Sequence, residues 1–403
     1  MALPALVRRE ALWRKTRRGA VIYTCSWSPL APVTAALPVA RARLIMLPGY
    51  NSSVMAQHDW LAGWLLTHGV EAFSLDNHGS GRSTSDYEHR IPSTSFAESV
   101  SRTISRIFCF HGLRGYLPSW AALCDDAAWY SSELEKERGT LPTFLYGESM
   151  GGALALGTVR ALAAGGAPPL AGVILSAPMC MLSSHAKPHA ALVVLGSLLA
   201  IIAPAAPAPF LRDITDLIFR DPSRRPEARA NPLRYSGPTR LRTAFTLKAA
   251  ASTASDDAAR CTAPLLLLHG TSDLVCPPDA SRGVFATSAS GDKTLLEYQD
   301  AWHALWTEPI DTRRRLLNDM LSWIAARAPG VVPPRDIMPE SSKTSETEPT
   351  LSPTVTAAAA ARGETGLRLS RPLGIAEFRD KTIWSTVHDP HVADFLLSQG
   401  KEL

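Results

Sequence analysis

Five residues, Gly147-Glu148-Ser149-Met150-Gly151, carry the sharpest chemical signal in the chain. They follow the apolar run TFLY and precede GALALGTVRALAA, so the serine stands on a turn from strand to helix. That context is what a G-x-S-x-G nucleophile needs. A tight turn holds the hydroxyl out, flanking glycines let strand and helix approach, and the helix N-terminus places partial positive charge where an oxyanion forms. A serine nucleophile also needs a base and a group to orient that base. Thr271-Ser272-Asp273 follows the run PLLLLHG, and Ala301-Trp302-His303 follows TLLEYQD. Each lies just past the carboxyl end of a strand-like run, where an open α/β sheet builds its sites. The chain order of serine, acid, histidine assigns Ser149 as nucleophile, His303 as base and Asp273 as its orienting acid. The bland alternatives are an inert serine in a Gly-rich turn, Asp273 as a helix N-cap ahead of Pro277-Pro278, and His303 as a packed core histidine. An oxyanion hole takes two backbone N–H groups. These are expected at Met150, after the serine, and at Tyr50, in the loop RLIMLPG-Tyr50-Asn51-Ser52-Ser53.

The elements that position these residues read as a parallel α/β sheet. Arg43–Gly49, Ala72–Asp76, Thr143–Gly147, Ala171–Pro178, Pro264–Gly270 and Thr294–Asp300 are short apolar runs, the pattern of strands covered on both faces. Helical stretches alternate with them at Pro118–Arg138, Met150–Ala164 and Pro309–Arg327, the last with Leu316, Leu317, Met320, Leu321 and Ile324 on one face. Strand-like sequence is also expected at Ala20–Ser26. Between residues 179 and 260 the rhythm breaks. Ala190–Phe210 is uncharged, basic Pro-punctuated sequence follows, and Thr239–Ser252 reads as helix. The uncharged run approaches spanning length but is cut by Pro204, Pro207 and Pro209, so an apolar lid is the preferred reading. The expected partition is a first core part at 1–178 with an extra segment at 84–111, a cap at 179–260, a second core part at 261–329, a disordered Pro/Ser/Thr/Glu-rich linker at 330–365 and an extension at 366–403.

In this order the motifs FSLDNHGSGRS, RGYLPSW, FLYGESMGGALAL, NPLRYSGPTRLRT, LLLHGTSDLVCPP and DKTLLEYQDAWHALWTEP resemble the monoacylglycerol lipase family of α/β-hydrolases, with its plant lysophospholipase and caffeoylshikimate esterase-like relatives. The resemblance runs over about Leu12–Arg327. It implies the α/β-hydrolase fold, the triad Ser149, Asp273 and His303, and a helical cap at about Met179–Ala250 over an acyl-chain tunnel. It also matches Cys276 to a cysteine near the site in mammalian members; a buried small apolar residue is the equal alternative. Two departures stand out. The family's His-Gly ahead of the oxyanion loop is Pro48-Gly49 here, and residues 84–111 have no counterpart.

Composition narrows the rest. The 403 residues carry 41 basic and 37 acidic side chains, a near balance that does not favour a nucleic-acid partner. Six dispersed cysteines without a C-x-x-C pair fit free thiols in a reducing compartment. His185 and His189 lack a third ligand, so neither a metal nor another cofactor is expected. Asn51-Ser52-Ser53 is a glycosylation sequon, but it sits in the expected oxyanion loop. Arg313–Arg315 reads as the solvated face of the last helix. The opening sequence is a poor secretory signal, which points to a cytoplasmic protein or one peripheral on a cytosolic membrane face, not a secreted one. The expected substrate is a lipid ester, above all a monoacylglycerol, with membrane contact through the uncharged cap beside its basic segments. Lysophospholipase, small aromatic-ester esterase and acyltransferase chemistry use the same three residues, and a non-catalytic scaffold is the reading from a different class.

Overall fold

The computed structural model describes residues 7–29, 37–54, 56–83, 113–181, 190–208 and 213–334. These lie within one compact unit. The expectations for 84–111, for the linker beyond residue 334 and for 366–403 lie outside the described residues, as do His185, His189 and Cys109.

Eight strands form one sheet in the order β1-β2-β4-β3-β5-β6-β7-β8. They are β1 (Val7–Lys15), β2 (Val21–Pro29), β3 (Ala42–Leu47), β4 (Val70–Leu75), β5 (Thr143–Glu148), β6 (Gly172–Ser176), β7 (Leu265–Gly270) and β8 (Lys293–Tyr298). From β4 to β8 all pairings are parallel; β2 joins β4 antiparallel, and β1 joins β2 as a hairpin. This is the α/β-hydrolase architecture that the family resemblance implied.

Physical reasons for the apolar strands are plain in the packing. Along β3, Leu44 and Met46 enter one core cluster while Ile45 and Leu47 enter the other, because successive side chains point to opposite faces. Helices α1 (Ala56–Thr67) and α9 (Ile310–Ala325) cover the first face through Leu61, Leu65, Leu317 and Leu321. Helices α2 (Trp120–Arg138), α3 (Met150–Ala164) and α7 (Leu241–Arg260) cover the second through Leu123, Leu154 and Ala254. A further helix, α8 (Pro278–Thr287), contributes Ala280 and Val284 there.

Two elements differ from the sequence reading. Strand β1, VRREALWRK, was not anticipated, since its charges obscure its alternation. It is an edge strand, where charged side chains are expected, and its register runs from Val7 opposite Pro29 to Lys15 opposite Val21. Helix α7 runs eight residues past the expected Ser252, and Ala254 and Ala258 in that added length are buried. Alanines beside Asp256 and Asp257 give a weak apolar stripe, which hides the periodicity.

Three helices lie between β6 and α7: α4 (Ala190–Ile202), α5 (Thr215–Ile218) and α6 (Arg224–Ala230). Helix α4 covers 13 residues of the uncharged run and stops ahead of Pro204, far short of the roughly 20 a span requires. Among the described residues no helix is long and apolar enough to cross a membrane.

Candidate active site

Ser149 joins β5 to α3 with φ 55° and ψ −120°, a region that L-residues rarely occupy. Such a conformation costs on the order of 1–3 kcal/mol and persists only where the surroundings dictate it. Here they do. Ser149 N–H donates to Ser176 O at 2.9 Å, and its own carbonyl accepts from Gly152 N and Met179 N, each at 2.9 Å. The glycines are required by contact. A Cβ on Gly147 would overlap the Gly151 carbonyl, one on Gly151 would overlap the Leu47 carbonyl, and one on Gly152 would lie 2.6 Å from Pro178 Cβ. Although Ser149 occupies the N-cap position of α3, its side chain makes no capping bond. The hydroxyl instead meets the buried Cys276 thiol, whose pKa burial pushes well up. That contact brings the Ser149 turn against the loop after β7.

On that loop stands Asp273, buried and gripped from four sides. Its Oδ1 accepts from Val275 N at 2.7 Å and Cys276 N at 3.0 Å. Its Oδ2 lies 2.7 Å from His303 Nδ1 and 3.2 Å from His269 Nε2. Helix α8 begins only at Pro278, so Asp273 is not its N-cap. Burial alone would raise this carboxyl, but the His303 charge and the hydrogen bonds from both histidines outweigh it and hold the group well below the usual range. His303, buried on the loop after β8, responds in the opposite sense. Burial would lower its imidazole, whereas the Asp273 charge, their hydrogen bond and the nearby Glu148 carboxylate raise it above the ordinary value. Glu148, the residue before Ser149, is itself raised by burial and held down by His303.

The two loops support one another. Ser272 N–H donates to Ala301 O at 2.9 Å, and a Cβ on Gly270 would overlap the Ala301 carbonyl. Buried Glu308 accepts from Trp302 N at 2.8 Å and approaches Arg220 of the inserted region at 3.4 Å. Ala304 N–H reaches Ile218 O there at 3.2 Å.

Met150 is fully buried at the first position of α3. Tyr50 lies in the turn after β3, closed by Ser52 N–H to Gly49 O at 3.2 Å. A Cβ on Gly49 would sit 3.3 Å from Ser149 Cβ and 3.2 Å from Glu148 O, so this turn abuts Ser149 without a His-Gly pair. Asn51 of the sequon is occupied by hydrogen bonds to the Tyr235 backbone. Arg314 and Arg315 pair with Asp311 and Asp319, as a solvated helix face does.

One residue at the site was missed. His269, in PLLLLHG, is fully buried; its Nε2 faces Asp273 Oδ2 and Cys276 O (2.9 Å), and its Nδ1 lies 2.6 Å from Ser281 Oγ. The usable signal was a histidine at the end of a buried strand, four residues before an acid. Among the described residues no group of histidine, cysteine and carboxylate side chains could hold a metal ion.

The arrangement can therefore present a hydroxyl, a buried imidazole with raised basicity and a carboxylate fixed on that imidazole's Nδ1, which is the apparatus of acyl transfer. Comparison with known proteins agrees with this reading of the fold. The profile of the Hydrolase_4 family (serine aminopeptidase, S33) matches residues 38–310. The caffeoylshikimate esterase of Arabidopsis thaliana is 32% identical over 185 residues, 46% of this chain and 55% of that protein, little more than half its length. The monoacylglycerol lipase of Mycolicibacterium smegmatis is 29% identical over 215 residues, 53% of this chain and 73% of its own. In structure, a soluble variant of the Saccharomyces cerevisiae monoglyceride lipase superposes with a TM-score of 0.60 at 19% identity, over 80% of this chain and 95% of that one.

Proposed function

The chain belongs to the Hydrolase_4 (serine aminopeptidase, S33) family, and from that membership we propose that it is a serine ester hydrolase acting on monoacylglycerols. The observation that carries the chemistry is the 2.7 Å contact of His303 Nδ1 with Asp273, on a loop that meets the strained Ser149 through Cys276. In this mechanism His303 Nε2 takes the Ser149 proton as Oγ attacks the ester carbonyl. Asp273 keeps Nδ1 protonated and stabilises the imidazolium. The N–H groups of Met150 and Tyr50 receive the oxyanion. His303 then returns the proton to the departing glycerol oxygen, and water repeats the sequence on the acyl-enzyme to release the fatty acid.

Support for a lipid acyl chain comes from α4. Ile201 and Ile202 are 78% and 82% exposed, and Leu198 and Leu199 also face solvent. Single exposed apolar residues are ordinary; four on one short uncharged helix suit acyl chains or a lipid surface. Arginines 224, 225 and 229 of α6 stand in the same inserted region, and we extend the proposal to peripheral contact with anionic membrane, on the cytosolic side where the free thiols of Cys25, Cys124, Cys180, Cys261 and Cys276 persist.

The similarity to a caffeoylshikimate esterase favours one second reading, a small aromatic-ester esterase on the same triad. A substrate panel decides between them. Purified protein is assayed on monooleoylglycerol, lysophosphatidylcholine, a hydroxycinnamoyl ester and an aminoacyl arylamide, with and without alcohol acceptors. Highest kcat/KM on the glyceride, with free fatty acid as product, is the expected result. Preference for the hydroxycinnamoyl ester, for the arylamide, or for acyl transfer to the alcohol would replace the monoacylglycerol assignment.

A further inference from the structure

The turn beside Ser149 is bound to the inserted region chiefly by one side chain, Asn51. Asn51 Nδ2 donates to Tyr235 O and Asn51 Oδ1 accepts from Tyr235 N, both at 2.7 Å. This is a two-bond clasp between a side-chain amide and a single residue's backbone, and only one orientation of the amide satisfies both. Asn51 also has φ 57°, while Tyr50 before it does not have positive φ. With Ser52 N–H bonded to Gly49 O, positive φ at the third position alone defines a turn of type II character, where glycine or asparagine is required. The turn's first residue, Gly49, lies against Ser149 and Glu148. Tyr50, its second, reaches Thr239 through its hydroxyl at 3.4 Å. Tyr235 is in turn held in place. Its ring fills the space a Gly115 side chain would need, and the Arg240 guanidinium stacks over it at 4.7 Å.

We propose that Asn51 is a positioning residue that makes the oxyanion turn competent only while segment 231–240 of the inserted region is seated. The inference rests on the ester-hydrolase reading for its place in catalysis, since it acts by fixing the Tyr50 N–H rather than by touching substrate. Loss of the clasp leaves the turn free to rotate the Gly49–Tyr50 peptide, which breaks the bond from Ser52 N–H to Gly49 O and turns the Tyr50 N–H away. Lifting the 231–240 segment would do the same, so that opening the cap and disabling the hole are one event.

Asn51→Gly isolates the effect, because glycine accepts φ 57° without cost and removes only the clasp. The measurement is the rate at which full-length protein is labelled by a fluorophosphonate, whose phosphoryl oxygen needs the same hole, alongside monooleoylglycerol hydrolysis and the thermal midpoint. The expected result is labelling and kcat both slowed by about 10-fold or more, KM within about twofold, and the midpoint nearly unchanged. Asn51→Asp, which keeps the bond from Tyr235 N and tolerates the same φ, should recover part of the rate. Equal labelling of wild type and Asn51→Gly overturns the proposal, as does a loss confined to KM or one matched by a fall in the midpoint. Wild type that labels but hydrolyses no ester sinks the ester reading and leaves the labelling comparison to judge Asn51. Wild type that does not label removes both.

Discussion

The Ser149 turn and the inserted region ahead of α7 are held by different kinds of force. Around Ser149 the backbone is over-determined, by three hydrogen bonds on one residue and by glycines at which any side chain would collide with main chain. Ahead of α7, long polar side chains link the inserted region to the core. Arg114 Nη1 reaches Gly81 O (3.1 Å) and Leu233 O (2.8 Å), and Arg240 reaches Arg114 O (3.1 Å) and Ala205 O (2.9 Å). Such bonds contribute about 1 kcal/mol each and exchange readily with water. The contrast teaches that the Ser149 backbone is fixed by steric exclusion, and the inserted region by bonds that water can replace.

If that contrast is right, changes in the first region should be all-or-none and changes in the second graded. Ser149→Ala is expected to lower kcat by about 10⁴-fold or more with an unchanged thermal midpoint, read by steady-state assay and calorimetry. A retained rate would remove the nucleophile assignment. Asp273→Asn should cost about 10³–10⁴-fold in kcat. It should also move the acidic limb of the pH–rate profile. The base must be neutral to act, so activity falls as pH drops through the His303 pKa, which Asp273 raises above the ordinary imidazole value. Without that charge and hydrogen bond, only the Glu148 carboxylate still opposes burial at His303, and the limb shifts to lower pH. A limb that stays in place would show that Asp273 does not govern His303. Gly151→Ala should destabilise the fold by about 3 kcal/mol, measured by denaturant unfolding, because the new methyl meets the Leu47 carbonyl and not a movable side chain. At the other extreme, Ile201→Ser with Ile202→Ser should change stability by about 0.5 kcal/mol or less while weakening sedimentation with anionic liposomes by about 10-fold. Unchanged liposome binding would separate the exposed helix from any membrane.

The parallel sheet was legible because its strands are short apolar runs ended by Gly, Pro or Asp, and α3 was expected and found at Met150–Ala164. The meeting of Asp273 and His303 was legible because strand ends announce where loops of this kind of sheet converge. What escaped was set by tertiary context. His269 is a strand residue by sequence, and only the fold brings its Nε2 to Asp273. Asn51 reads as a sequon, and nothing local indicates Tyr235, far along the chain, as its partner. Strand β1 owes its existence to β2, since its own residues alternate poorly between apolar and charged.

The position of the insertion also bears on how the chain is made. Val173 on β6 pairs with Leu265 on β7, and everything between them in sequence must be synthesised before that ladder can close. Until then β6, whose residues GVILS are all buried in the finished fold, presents an unpaired apolar edge to the cell. Non-local parallel pairing is slow to form and open to aggregation while it waits. At translation rates of about 5–20 residues per second the exposure lasts several seconds, with the apolar α4 helix emerging during the same interval. A ribosome-bound nascent chain ending before residue 265 should therefore be a strong client for holdase chaperones, and one extended past Tyr298 should not.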